Sequence, residues 1–326
     1  MQHPITRRAL GTLAAGGALA ARPAAAQSQR TARVLVGFAP GGPSDVIARL
    51  VAEGLRATGY APQAIVENRT GAGGRLAMEQ AAAAPPDGTA MVLGPASLST
   101  VFTAVYGRNL RYDPLVDLTP VSPVCTYPFV LVVEARHPAR DVAGLLAWAR
   151  AAGGLACGNP AAGSMPHFLA VQFGLATGAQ ITHVPYRGSA PAVQDVVAGN
   201  LPAAMVTLGA VAELHRSGRI RVLAISSAER NPSLPDVPTF AEGGLGALTV
   251  EEWIGVLLPG RAPPAVVEAL HRALTATVAT PEFRAGLARL DYPPLVMTPE
   301  AFTARIRAEQ AYWAPVVQAS GFRPED

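Results

Sequence analysis

The chain predicts an α/β protein of two domains, each a mainly parallel sheet flanked by helices, in the two-lobed arrangement that closes on a ligand. Three observations carry this expectation. Short β-branched runs alternate with helix-period blocks along most of the chain. Glycine-containing turns stand at the strand-to-helix junctions. The 326 residues, half of them hydrophobic, are also more than one compact core ordinarily holds.

Each block has its own reason. Val34–Val36 is an apolar, β-branched strand. The turn Gly37-Phe38-Ala39-Pro40-Gly41-Gly42-Pro43 ends it, and Ser44–Thr58 follows as a helix, with Val46, Ile47, Leu50, Val51 and Leu55 on one face. Ala64–Glu67 is a strand, and Arg75–Ala84 a helix stopped by Pro85-Pro86-Asp87-Gly88. Thr89–Leu93 is a strand that turns at Gly94-Pro95-Ala96-Ser97 into another helical piece. The apolar run Val121–Val133 carries Pro123 and Pro128 and reads as a strand passing between domains.

The second unit repeats the pattern. Val142–Ala152 is a helix and Leu155–Gly158 a short strand. Gly163-Ser164-Met165-Pro166-His167 opens a helix to Thr177, and Ile181–Val184 is a strand. Gly188-Ser189-Ala190-Pro191 starts a helix ending at Gly199-Asn200, with Ser189 placed as its N-cap. Ala203–Thr207 and Arg221–Ser226 are strands. After a proline-rich loop, Glu251–Leu258 reads as a strand, and Pro264–Thr280 and Pro299–Ser320 as helices that return to the first domain. Residues 30–126 and 248–326 therefore make domain 1 and residues 127–247 domain 2. The crossings are expected near Cys125–Phe129 and Gly244–Glu252.

Residues 1–26 read as an export signal. Arg7-Arg8 precede a short Gly/Ala/Leu run, and Ala24-Ala25-Ala26 gives a small-residue cleavage site near Ala26. The paired arginines favour the twin-arginine route. A membrane anchor is the other reading, but the run is well short of the roughly 20 residues that span a bilayer. Removing this segment takes three arginines with it and leaves 23 basic against 23 acidic residues, so nothing points to nucleic acid. Every basic residue is Arg; without Lys, Schiff-base, P-loop and kinase chemistries are excluded. Cys125 and Cys157 have no metal or CxxC spacing, and either pair or remain as two buried thiols.

The turns are the candidate site. A strand, a glycine turn and a helix start gather free backbone N–H groups at the positive end of a helix dipole, which suits an anion. Any one such turn is explained by helix capping. Four of the same type, around Pro40-Gly41-Gly42, Gly94–Ser97, Gly163-Ser164 and Gly188-Ser189, favour a shared anion site between two domains. Gly71-Ala72-Gly73-Gly74 lacks dinucleotide spacing and reads as a turn at the cleft edge. No nucleophile elbow, HExxH or CxxC occurs, so no catalytic group, metal site or cofactor is assigned. Ser164 and His167 share a helix face, but a capping serine and a structural histidine explain them. His183 reads as a packed histidine, and Arg187 as a solvated loop residue or a partner for a ligand carboxylate.

Phe38-Ala39-Pro40-Gly41-Gly42-Pro43-Ser44-Asp45, Val66-Glu67-Asn68-Arg69-Thr70-Gly71-Ala72-Gly73-Gly74 and Pro86-Asp87-Gly88-Thr89 resemble a known family. So do Tyr112-Asp113-Pro114, His183 to Ala192, and Leu234-Pro235-Asp236-Val237-Pro238-Thr239. In order and spacing they are similar to the Bug receptors, the TctC family of extracytoplasmic solute-binding proteins serving tripartite tricarboxylate transporters. The resemblance implies a two-domain, hinge-closing periplasmic binding protein of type II fold that captures a small organic carboxylate. It implies delivery to membrane transporter subunits by a monomer that is not itself membrane-embedded. The ligand-binding set it implies is Phe38, Ala39, Pro40, Gly41, Gly42, Ser44, Asp45, Ser97, Gly163, Ser164, His167, Tyr186 and Thr207. An exported hydrolase or a ligand sensor on the same scaffold is the alternative.

Three departures from the family pattern stand out. Gly37 and Ala39 replace prolines common around the first turn. Pro166 stands where a serine often precedes the histidine. Thr207 replaces an aspartate that commonly faces the cleft, which implies an acid without an amine as ligand.

Overall fold

The structure is a computed structural model that describes residues 31–324; the export signal expected over residues 1–26 lies outside them. In chain order the first part runs β1 (Thr31–Val36), α1 (Pro43–Ala57), β2 (Gln63–Asn68), α2 (Arg75–Ala82), β3 (Ala90–Pro95), α3 (Val101–Tyr106) and β4 (Leu118–Glu134). β1 lies between β2 and β3, parallel to both. α1 buries Ile47, Ala48, Val51, Ala52 and Leu55 against this sheet, the face its apolar spacing prescribes.

The middle part runs α4 (Val142–Ala152), β5 (Leu155–Asn159), α5 (Met165–Thr177), β6 (Ile181–Pro185), α6 (Ser189–Val197), β7 (Ala203–Thr207), α7 (Ala212–Arg216) and β8 (Ile220–Ile225). β5 pairs in parallel with β6 and β7, while β4 runs antiparallel to β7 and β8. The chain closes with β9 (Glu251–Pro259), α8 (Pro264–Ala279), α9 (Pro281–Ala288) and α10 (Pro299–Ser320). β9 inserts antiparallel between β3 and β4, completing the first sheet. The short α7 and α9 carry too few apolar repeats to be read from sequence.

β4 joins the two sheets. Its 17 residues pair with β9 as far as Pro128, then with β7 and β8 from Phe129 onward. Register shifts fall beside Pro120 and Pro123, where a residue without an N–H interrupts the ladder. The second crossing, expected near Gly244–Glu252, is made by irregular chain and not by a strand running from one sheet into the other. The chain between β8 and β9 is irregular apart from a single bridge, Ile225 to Thr239, and a short 3-10 turn, and it steps across at Val250–Glu251. Ser226 ties both crossings together: its N–H donates to the Phe129 carbonyl, its hydroxyl accepts from the Phe129 N–H, and its carbonyl accepts from Val250 N–H.

One large core joins the first sheet to the α4 and α5 side of the second, around Phe129, Phe168, Trp253, Phe302 and Trp313. A smaller core lies under α6 and α7 around Val130, Val193, Val206 and Ile225. Cys125 and Cys157 are free and buried, and burial pushes the Cys157 thiol up to about 12, so both are inert packing groups. Among the described residues no helix is long and apolar enough to cross a membrane.

Candidate functional site

The turn after β1 brings Phe38 to Asp45 together at the carboxyl edge of the first sheet. Pro43 occupies the first position of α1, where its missing N–H costs nothing, and Gly42 is the N-cap. The Ser44 and Asp45 N–H groups follow in the first helical turn, without intrahelical acceptors. Ser44 and Asp45 are buried, whereas Ala39, Pro40 and Gly41 are exposed.

The Asp45 carboxylate is committed to the protein. It accepts from Gly41 N–H at 2.9 Å, from Arg49 Nε at 2.9 Å and Nη2 at 3.1 Å, and from Asn68 Nδ2 at 2.9 Å. Burial pushes its pKa up, but these hydrogen bonds outweigh burial and hold it below the ordinary carboxylate value. Asn68 also donates to the Phe38 carbonyl at 3.0 Å, so β2 braces the turn on both sides. The family resemblance implies that Asp45 and Gly41 meet the ligand. In the structure the Asp45 side chain and the Gly41 N–H satisfy each other, and Asp45 offers a ligand only its N–H. Asn68, which braces the turn, was not assigned. A polar residue ending a strand beside this turn was the available signal.

The Gly94–Ser97 turn departs further. Ser97 N–H donates to Glu252 Oε1 at 3.0 Å across 155 residues of chain, and Tyr127 Oη donates to Glu252 Oε2 at 2.8 Å. The Ser97 N–H therefore serves an internal carboxylate at the junction between the sheets. Tyr127 stacks on Tyr292 with ring centroids 4.5 Å apart. Burial raises the Glu252 pKa, and the Ser97 N–H and Tyr127 hydroxyl offset this only in part. A carboxyl with a raised folded pKa contributes stability that is present at low pH and is lost as pH rises through the folded value. Glu252→Gln is therefore expected to stabilise the protein by about 1 kcal/mol at pH 8, with the gain disappearing below pH 4. Urea unfolding at the two pH values checks this.

In the second sheet, Gly163 N–H donates to His167 Nδ1 at 3.0 Å, and the Ser164 hydroxyl donates to the Ala161 carbonyl at 2.7 Å. Ser164 is the N-cap residue of α5, but its hydroxyl closes its own turn and does not cap the helix. His167 is buried, and its ring meets His183 edge-on at 4.6 Å. Burial, with His183 nearby, lowers the His167 pKa to about 4, so the ring is neutral at physiological pH. Phe322, just past α10, lies 5.2 Å from the His167 ring and covers Gly163; only the folded chain brings it there.

Tyr186 donates its hydroxyl to Asp195 Oδ2 at 2.7 Å, and burial together with Asp195 pushes its pKa up to about 12. Its polar end is thus occupied by a residue of α6. Thr207 Oγ1 lies 3.3 Å from Ser189 Oγ. Gly188, with φ of +110°, is the N-cap of α6, and Ser189 is the first helical residue instead of the expected cap.

Two α/β sheets joined by a shared strand, with helix N-termini at their carboxyl edges, define a two-lobed binding protein of the periplasmic type. The chain belongs to the tripartite tricarboxylate transporter family receptors (TctC), whose family description matches residues 47–322. It is 34% identical over 293 residues to protein BugT of Bordetella pertussis, covering 90% of each chain. Among solved structures it resembles an R. palustris protein determined with adipate, with TM-score 0.79, 32% identity, and coverage of 91% of this chain and 99% of that one. It also resembles MatC from Rhodopseudomonas palustris with bound malate, with TM-score 0.75, 28% identity, and coverage of 88% and 99%. Its family relatives are receptors that bind solutes for transport.

Proposed function

We propose that this chain captures a small organic carboxylate between its two lobes and hands it to the membrane subunits of a tripartite transporter, without chemistry on the ligand. The observation that carries the reading is the first turn of α1. It is held rigid by Asp45 and Asn68, with the Ser44 and Asp45 N–H groups left for an anion. The relatives solved with adipate and malate support the ligand class.

In this reading residues 30–126 and 248–326 form the first domain and 127–247 the second. Closure about Pro128–Phe129 and Val250–Glu251 brings the Gly163–His167 turn onto the ligand. Ala39, Pro40, Gly42 and Thr207 line the cleft around the bound acid, and Phe38 packs beneath it. The mature chain is a periplasmic monomer released by cleavage near Ala26.

A thermal-shift screen of small acids against their amides tests the reading. An acid is expected to raise the melting temperature where its amide does not. Equal shifts for acid and amide would sink it. Ser44→Ala, which removes a buried hydroxyl beside the free N–H groups, is expected to weaken the bound acid roughly tenfold. Titration calorimetry reads that change.

A further inference from the structure

We propose that Asn159, with His183 beside it, forms the subsite for a hydroxyl group of the captured acid, so that the receptor selects hydroxycarboxylates. The inference rests on the carboxylate-capture reading and names the other end of the ligand.

Asn159 is the last residue of β5, at the sheet edge from which the Gly163–His167 turn departs. It is fully buried, yet among the described residues neither its Nδ2 nor its Oδ1 has a hydrogen-bond partner. A side-chain amide with all its donors and acceptors unmet is costly unless something outside the fold completes it. Its backbone is well anchored, since its carbonyl accepts from Tyr186 N–H at 2.9 Å, and the Pro160 carbonyl accepts from Gly188 N–H at 2.7 Å. The unmet capacity is confined to the side chain.

Strand alternation sets the direction of that side chain. Leu155 and Cys157 pack into the core shared with Phe168 and Leu169 of α5, so Asn159 faces the same side, under the first turn of α5. In β6, Cys157 pairs with His183 and Asn159 with Pro185, which makes His183 the diagonal neighbour of Asn159. Ile181, two residues earlier, packs on the same core. His183 Nδ1 is also buried without a partner, and its ring touches His167. Two unsatisfied polar side chains therefore adjoin the first turn of the helix expected to close on the ligand.

The chemistry of this pair selects the group. An ionised carboxylate would satisfy the Asn159 NH₂ but would set its oxygens against Asn159 Oδ1, an acceptor. Among the described residues no cation is seen to compensate: burial disfavours the charged form of both imidazoles, and Arg187 is exposed on the next turn. A hydroxyl accepts from Asn159 Nδ2 while donating to Asn159 Oδ1 or His183 Nδ1, and buries no charge. The charged end of the ligand is then held at α1 and the neutral, donor-and-acceptor end at Asn159.

Titration calorimetry with matched acids reads this directly: lactate and propionate, 3-hydroxybutyrate and butyrate, malate and succinate, 4-hydroxybenzoate and benzoate. The hydroxylated member of a binding pair is expected to bind roughly tenfold tighter or better. Asn159→Leu, nearly isosteric and with no hydrogen bond among the described residues to lose, is expected to erase that ratio. Equal Kd values within every binding pair overturn the proposal, as does an Asn159→Leu variant that keeps the ratio. If plain acids bind and hydroxylation adds nothing, only the hydroxyl subsite falls. If no acid binds the wild type, the carboxylate-capture reading falls and this inference with it. Should the variant fail to fold, the wild-type ratio alone decides.

Discussion

Gly37→Ala is expected to destabilise the protein by about 3 kcal/mol or more and to remove carboxylate binding. A Cβ at position 37 would lie 2.5 Å from Gly74 Cα and 2.6 Å from the Gly74 carbonyl oxygen. The obstacle is backbone, so no rotamer change relieves it. Gly74 itself has φ of +97° and lies against the Phe38 ring, so it has no room to retreat. Relief requires the turn after β1 to separate from the turn before α2, and that movement displaces the Ser44 and Asp45 N–H groups. Urea unfolding measures the stability loss. A midpoint unchanged from wild type would show that the two turns are not locked together.

Asp45→Ala is expected to cost about 2 to 3 kcal/mol and to weaken carboxylate binding. The loss falls on the Gly41 N–H and the Asn68 amide, which forfeit a buried acceptor. Arg49, more than half exposed, regains water and adds little. The pH dependence has a definite sign. Because the folded Asp45 pKa lies below its ordinary value near 3.8, its contribution is fully present above that value and is lost as pH falls through the folded pKa. The stability gap between wild type and Asp45→Ala is therefore expected to be constant from pH 8 to 5 and to narrow below pH 4. Denaturant titrations at several pH values check this; a gap that widens on acidification would contradict the hydrogen-bonding account.

Much of the fold was legible because its signals are local. The apolar period of α1, the proline and glycine stops after α2, and the bounds of α4, β7 and α10 all follow from residues within one turn or strand of each other. The passage of β4 between the sheets was legible too, since an apolar run longer than one sheet needs has to continue into another. Of the second crossing only the place, near Gly244–Glu252, was legible, and not how it is held. The chain from Ser226 to Val250 has no strand period, and Ser226 holds it through hydrogen bonds to residues far away in sequence.

The candidate site divides in the same way. Glycine turns at strand ends marked where anion-binding N–H groups are placed, because a helix start exposes its first amides whatever surrounds it. Which of those groups remain free depends on partners from distant parts of the chain. Glu252 takes the Ser97 N–H, Asp45 takes that of Gly41, and Asp195 takes the Tyr186 hydroxyl, while Asn159 is left with none. Secondary structure and the location of the turns were thus written in local pattern. The choice of open donors, the contacts at the two crossings and the cover of Phe322 on Gly163 were decided by tertiary packing, since each depends on two chain segments meeting at hydrogen-bond or van der Waals distance.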